Sequence, residues 1–173
     1  MEIRRVRAND GVLLRGVHLR MLADAPDAFS ETLAEAQAMS AAQWDARAER
    51  FGSGAKAVAF VALEAGEVVG FVAGFVGRFR EKAMQWDVSD TVTLARAWVA
   101  TEMRQQGIGR ALAKSVEAWA AEKGAAVLEA QVTENNEAAI RFYAKLGFAD
   151  KGQREPLRSN PALQIRFLSQ RLR

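Results

Sequence analysis

Arg104-Gln105-Gln106-Gly107-Ile108-Gly109 is the stretch of this 173-residue chain best suited to hold a charged ligand. It lies between an alternating apolar segment and an amphipathic helical one. Backbone N–H groups and the positive end of a helix therefore converge there on one concavity, an arrangement that suits phosphate. Small residues at Gly107 and Gly109 let a pyrophosphate approach the backbone closely. A nucleotide P-loop would need Gly-x-x-x-x-Gly-Lys-Ser/Thr, and the chain has no Gly-Lys pair. A dinucleotide fingerprint would put its third small residue at Leu112 and would follow the first strand, whereas this turn comes late. On the glycines alone, a plain tight turn stays open.

Other chemistry is bounded by what the chain contains. Cysteine is absent, which excludes a disulfide scaffold, a thiolate zinc site, an iron–sulfur cluster and a cysteine nucleophile. His18 is the single histidine, so a metal site built from several histidines is excluded and no metal is expected. Its place near Leu14 and Met21 reads as a partly buried structural residue. Tyr143 is the single tyrosine, a core aromatic unless its hydroxyl is placed for acid catalysis.

The elements that must position these residues follow from periodicity. Ile3 to Val6 alternates weakly, and Asn9-Asp10 then offers an acidic N-cap before Leu14, Val17, Met21 and Leu22 at helical spacing. Ser40-x-x-Gln43 has the form of a capping box, with Trp44, Ala48 and Phe51 on one stripe and Gly52 as the expected stop. Residues 57–63 and 68–76 read as two buried strands of a hairpin around Glu64-Ala65-Gly66-Glu67. The polar stretch from there to Thr91 lacks periodicity and reads as a loop. Residues 91–99 form a strand, and Ile108, Leu112, Val116 and Trp119 form a helical stripe that Gly124 ends. In the strand over residues 126–132, Ala126, Leu128, Ala130 and Val132 share one face, while Val127, Glu129 and Gln131 take the other. Asn135-Asn136 opens a short helix bearing Ile140, Tyr143 and Leu146 and closed by Gly147, and Leu163, Ile165 and Phe167 alternate in a last strand. Strand, glycine turn, helix and strand in succession imply a right-handed crossover between parallel neighbours among hairpin strands, hence a mixed α/β (α+β) sheet.

Composition agrees with one soluble globular domain over residues 1–173: 50% of residues are apolar, 26% charged and three are proline. No apolar run reaches the roughly 18 residues of a membrane helix and Met1-Glu2-Ile3-Arg4-Arg5 has no signal-like stretch, so the expectation is a cytoplasmic protein without a membrane partner. The net charge, 24 − 21 = +3, suits an anionic cofactor and is too small and scattered for nucleic acid.

With these residues in view, the chain resembles the GNAT superfamily of acyl-CoA-dependent N-acyltransferases over nearly its whole length. The superfamily signature Arg/Gln-x-x-Gly-x-Gly/Ala is matched by Arg104, Gly107 and Gly109, with Arg110-Ala111-Leu112 continuing the helix and Trp98-Val99-Ala100 resembling the preceding strand end. The run from Val132-Thr133-Glu134-Asn135-Asn136 through Tyr143 to Leu146-Gly147-Phe148 resembles its second signature. The resemblance implies a mixed sheet of about six or seven strands flanked by about four helices. It also implies a splayed parallel strand pair that holds acetyl-CoA as cosubstrate. Ala97, Trp98 and Val99 would line the pantetheine arm, the Val99 N–H polarising the thioester carbonyl. Arg104, Gln105, Gln106, Gly107, Ile108 and Gly109 would hold the pyrophosphate, with Arg110 also among the cofactor-binding residues. Asn136 would hydrogen-bond the cofactor or cap its helix, and the Tyr143 hydroxyl would reach the sulfur and protonate the departing thiolate. The implied reaction is direct attack of a neutral primary amine, on a small molecule or a peptide, with no covalent enzyme intermediate.

The base is where the chain departs from part of that superfamily. Some members carry a glutamate five residues before the asparagine, and that position is Gln131. Glu129, two residues earlier on the same strand face, is the nearest carboxylate, with a salt-bridged role as its alternative. Asp87 and Glu81 are weaker candidates. Loops over residues 25–32 and 78–90 would choose the acceptor, with Phe29, Trp44, Trp86 and Trp98 as aromatics able to line it. A homodimer is compatible with the reading. The competing functions are a CoA-holding module without turnover and a dinucleotide-binding domain.

Overall fold

Glycines at two positions of a central strand let a long helix settle directly on the sheet, and the rest of the architecture is arranged around that contact. The computed structural model describes the backbone of residues 1–80 and 85–172, and side chains outside 79–89. In chain order the elements are β1 (Glu2–Arg5), α1 (Gly11–Asp24), α2 (Leu33–Ala38), α3 (Ala41–Ser53), β2 (Ala57–Glu64), β3 (Glu67–Arg80) and β4 (Gln85–Val99). They continue with α4 (Ile108–Glu122), β5 (Val127–Thr133), α5 (Glu137–Lys145), β6 (Ala149–Leu157) and β7 (Asn160–Arg171). The strands form one seven-stranded sheet in the order β1-β2-β3-β4-β5-β7-β6. Among the described residues only β4 and β5 are parallel, joined by the α4 crossover, and the other pairs are antiparallel.

A Cβ added at Gly70 or Gly74 of β3 would come within 2.9 Å of Leu112 or Val116, so α4 packs where β3 has no side chain. On the opposite face Phe71 and Phe75 meet Phe51 of α3, and His18 of α1 lies against Phe71 and Trp44. The two faces of β3 thus bury two layers of one core.

Ser40 and Gln43 do form a reciprocal capping box at the start of α3. Thr32 and Glu35 form another on α2, a helix of six residues, too short to show a helical period in the sequence. Three expectations are corrected. The stop of α3 is Gly54, in the left-handed region at φ 61°, rather than Gly52. Asp10 precedes α1 without capping it, because its carboxylate accepts from Arg4 and from the Arg7 N–H instead. The polar segment after Val76 is not a loop: β3 and β4 extend into it, with Arg78 opposite Asp87 and Arg80 opposite Gln85. Backbone pairing makes that ribbon, and a β-bulge at Gly77 breaks the side-chain alternation by which a strand is read. β6 carries little apolar signal in the sequence, being a mostly exposed, charged edge strand.

Candidate active site

The gap between β4 and β5 originates in β4 itself. The two strands pair only from Thr91 to Leu94 against Val127 to Ala130, after which β4 runs on to Val99 and β5 to Thr133 without pairing to each other. At that point Arg96 and Ala97 together stand opposite Val72, a bulge in which Arg96 adopts φ 57°. Left-handed backbone at a non-glycine residue costs about 1–2 kcal/mol, and the bulge bends β4 out of the parallel ladder.

Beyond Val99 the chain enters the glycine turn. Gln105 at φ 64° and Gly107 at φ 83° both take left-handed backbone, which gathers N–H groups into a concave nest. Gly107 is the N-cap of α4 and no side chain caps it. The first intrahelical bond runs from the Ala111 N–H to the Gly107 carbonyl, so Ile108, Gly109 and Arg110 present N–H groups without intrahelical acceptors. Ile108 is buried and pins this end of the helix to the core, whereas Gln105, Gln106 and Gly107 are exposed. A Cβ on Gly109 would lie 3.4 Å from the Phe142 ring and 3.6 Å from a Val99 methyl, so this glycine sits where β4, α4 and α5 meet. An exposed nest of N–H groups on a helix dipole, with the gap at its side, fits the diphosphate and pantetheine of a CoA molecule.

The Arg104 side chain points elsewhere. Its Nε donates to the Val99 carbonyl at 3.0 Å and its Nη2 to Asp24 Oδ2 at 2.7 Å. Asp24, which the sequence reading did not single out, also accepts from Trp98 Nε1 at 2.9 Å and from the Thr101 hydroxyl at 3.1 Å. Burial alone would raise the Asp24 pKa, but the Trp98 and Thr101 hydrogen bonds and the Arg104 charge outweigh it and hold the carboxyl below its ordinary value. The guanidinium expected on the pyrophosphate is thus a brace between the end of α1 and the end of β4. Nothing local marks Asp24 in the sequence, because its partners lie 74 to 80 residues away.

Tyr143 is buried, its ring edge-on to Phe142 and Phe148 at 5.2 Å each. Its hydroxyl has no hydrogen-bond partner among the described residues, and burial pushes its pKa well above the ordinary value, so the phenol stays protonated. Asn136 caps α5 by accepting the Ala139 N–H on Oδ1 at 3.1 Å.

On the opposite face from α4, Glu129 is completely buried and is not a free carboxylate. Arg78 approaches Oε1 at 2.8 Å and Oε2 at 2.6 Å, and Lys151 approaches Oε2 at 3.1 Å. Reaching across β4 and across β7, these cations make Glu129 the centre of an ion triad that ties β3, β5 and β6 together. Gln131 is its neighbour on that face, opposite Phe167. His18 is also fully buried there, with Nδ1 2.9 Å from the Leu14 carbonyl. Burial, reinforced by Arg96 and Arg47, lowers its pKa to about 3. Trp44 and Phe29 are core residues, and Trp98 gives its N–H to Asp24. Glu81 and the side chains of Trp86 and Asp87 lie outside the described residues.

The model of the acetyltransferase (GNAT) family matches residues 21–148, a span that contains the gap, the glycine turn and α5. The chain belongs to the GNAT family. Solved GNAT structures superpose on it almost end to end. An acetyltransferase of the GNAT family from Streptococcus pneumoniae does so with a TM-score of 0.78 at 18% identity, covering 99% of each chain. yncA from Salmonella typhimurium, solved with its cofactor acetyl-CoA, gives 0.75 at 20% identity over 100% of this chain and 94% of that one. Ribosomal-protein-alanine N-acetyltransferase from Brucella melitensis gives 0.72 at 24% identity, over 99% of this chain and 100% of that one. No curated protein sequence matches. The expected GNAT sheet is present: the described residues form seven strands, one parallel pair and five α-helices where about four were expected.

Proposed function

We propose that this GNAT protein is an acetyl-CoA-dependent N-acetyltransferase that acts on a primary amine of a small molecule or peptide by direct attack. The observation that carries the reading is the juxtaposition of the β4 bulge, where the parallel ladder stops, with an uncapped glycine turn. Acetyl-CoA supplies an activated acyl thioester. The N–H groups of the turn and of Ile108, Gly109 and Arg110 bind its diphosphate. Ala97 and Val99 offer backbone groups to the pantetheine arm, and the Val99 N–H donates to the carbonyl oxygen as negative charge develops on it. Trp98 and Arg104, both tied to Asp24, fix the strand end that carries this donor. Tyr143, kept protonated by burial, delivers its proton to the leaving sulfur. Asn136 caps α5 with its oxygen, which leaves its amide hydrogens for the cofactor. Glu129, with both oxygens engaged by Arg78 and Lys151, anchors the sheet here, and the acceptor amine loses its proton to water.

Thermal denaturation tests the binding half of this reading. Acetyl-CoA raises the melting temperature in proportion to ln(1 + [L]/Kd), and NAD does not. A shift with NAD and none with saturating acetyl-CoA favours a dinucleotide-binding domain and removes the reading.

A further inference from the structure

The face opposite α4 carries a concentration of arginines that the reaction outlined above does not use. Arg47 and Arg96 both bind Glu31: Arg47 Nη2 reaches Oε1 at 2.8 Å and Arg96 Nη1 reaches Oε2 at 2.6 Å. Glu31 is nearly buried, with 11% of its side chain exposed. Burial would raise its pKa, but the two guanidiniums overrule that and bring it down to about 2. Arg50 stands close to both arginines and has no carboxylate partner among the described residues. Instead it lies over the rings of Phe51 and Phe75, at 5.7 and 5.9 Å, much as Arg47 lies over Trp44 at 4.7 Å. Two guanidiniums therefore share the Glu31 carboxylate, and Arg50 stands beside that pair as a third. Burial and the repulsion of Arg47 and Arg96 lower the Arg50 pKa below its ordinary value. The β6–β7 turn closes the cluster, with Arg158 paired to Glu35 at 2.8 Å and donating to the Ser30 carbonyl at 2.7 Å.

The position matters as much as the charge. Arg96 is the bulge residue of β4, three residues before Val99, so its Cα lies roughly 10 Å along the strand from the N–H assigned to the thioester. Its side chain reaches the face on which α1, α3 and the residue 25–32 segment assemble, away from α4 and the glycine turn. The cluster thus belongs to the acceptor side of the gap. A protein that bound polyamines or other multiply cationic acceptors would not line that side with surplus arginine.

We propose that Arg50, with Arg47 and Arg96, binds a carboxylate on the acceptor, and that the substrates are primary amines bearing a carboxylate. The proposal rests on the N-acetyltransferase reading and narrows its acceptor class. Guanidinium forks match a planar carboxylate, and rings that fix their orientation reduce the ordering cost of binding.

The test is a panel of L-α-amino acids and of ω-amino acids of increasing length, each beside its carboxamide and its decarboxylated amine, with CoA thiol release as the assay. Free acids are turned over with a kcat/KM about tenfold or more above the matched carboxamides, and the difference shrinks as salt rises. Arg50→Gln lowers that acid-to-amide ratio about tenfold, and Arg50→Lys restores part of it. A readout free of turnover accompanies these assays: N-acetylated acids raise the melting temperature of the wild type more than N-acetylated carboxamides, and this gap closes in Arg50→Gln. Carboxamides or diamines turned over as well as the acids overturn the proposal while leaving the acetyltransferase reading intact. No thiol release with any amine removes that reading, and the proposal with it.

Discussion

The two sides of the β4–β5 gap are built from different materials. The proposed cofactor side is mostly backbone, a left-handed turn, an uncapped helix end and a glycine among three elements, with Tyr143 and Asn136 as its side chains. The proposed acceptor side is almost entirely side chain: Glu31, Arg47, Arg50 and Arg96 come from the α1–α2 connection, α3 and β4. A site of N–H groups depends on where small residues sit, and small residues at fixed spacing are visible in a sequence. A cluster of charges depends on which distant segments meet, and only the fold reveals that. The cofactor side should accordingly break when bulk is added to it, and the acceptor side when charge is changed.

Bulk at the turn has the largest expected effect. Gly109→Leu abolishes the acetyl-CoA thermal shift and all turnover, because its branched side chain would occupy the junction of Val99 and Phe142. Gly109→Ala is nearly silent, since its Cβ makes ordinary contacts. Equal damage from both variants would show that the constraint is not steric.

Tyr143→Phe comes next. The ring keeps its contacts with Phe142 and Phe148, so stability and acetyl-CoA affinity stay near wild type, while kcat falls by about 100-fold or more, the usual contribution of a general acid. An unchanged kcat under conditions where chemistry limits the rate would return the residue to the core.

Glu129→Gln tests a charge that supports the sheet. Breaking an ion pair at one partner leaves buried charge uncompensated, and because Arg78 and Lys151 keep partial access to water the loss is about 2 kcal/mol, a fall in melting temperature of roughly 4–8 °C. The pH–rate profile of the variant runs parallel to wild type. Activity that recovers near pH 9 would instead make Glu129 the base.

The smallest effect is in pH dependence. His18 has a folded pKa of about 3 against an unfolded value near 6.5. Between those values the unfolded chain binds the extra proton, so stability is highest above pH 6.5 and declines by up to about 1.4 kcal/mol per unit below it. Glu31, depressed to about 2, adds loss in the same direction only once the pH drops below about 4.5. Melting curves between pH 6.5 and 5 therefore isolate the histidine: His18→Leu flattens that interval, and an unaltered slope in the variant would remove His18 as its source.

How much could be read beforehand follows the same division. The turn at residues 104–109, the helix it opens, the asparagine cap and the final strand were legible because glycine, asparagine and a regular apolar stripe act locally. The extended β3–β4 ribbon was not, since its arms are polar and are held by pairing to each other. That Gln131 lacks a carboxylate and Glu129 shares its face is legible in the sequence, but two cations from strands far away in the chain determine what Glu129 does. Asp24 and Glu31 gave no local signal, because each is defined by arginines 80 and 65 residues further along the chain.

The most direct test of the central claim is release of CoA thiol from acetyl-CoA by the purified protein, measured with and without a primary amine and paired with quantitation of the N-acetylated amine. The account predicts amine-dependent release with one N-acetyl product formed per thiol. Tight binding of acetyl-CoA with no amine-dependent thiol across the whole panel would contradict it and identify the protein as a CoA-holding module.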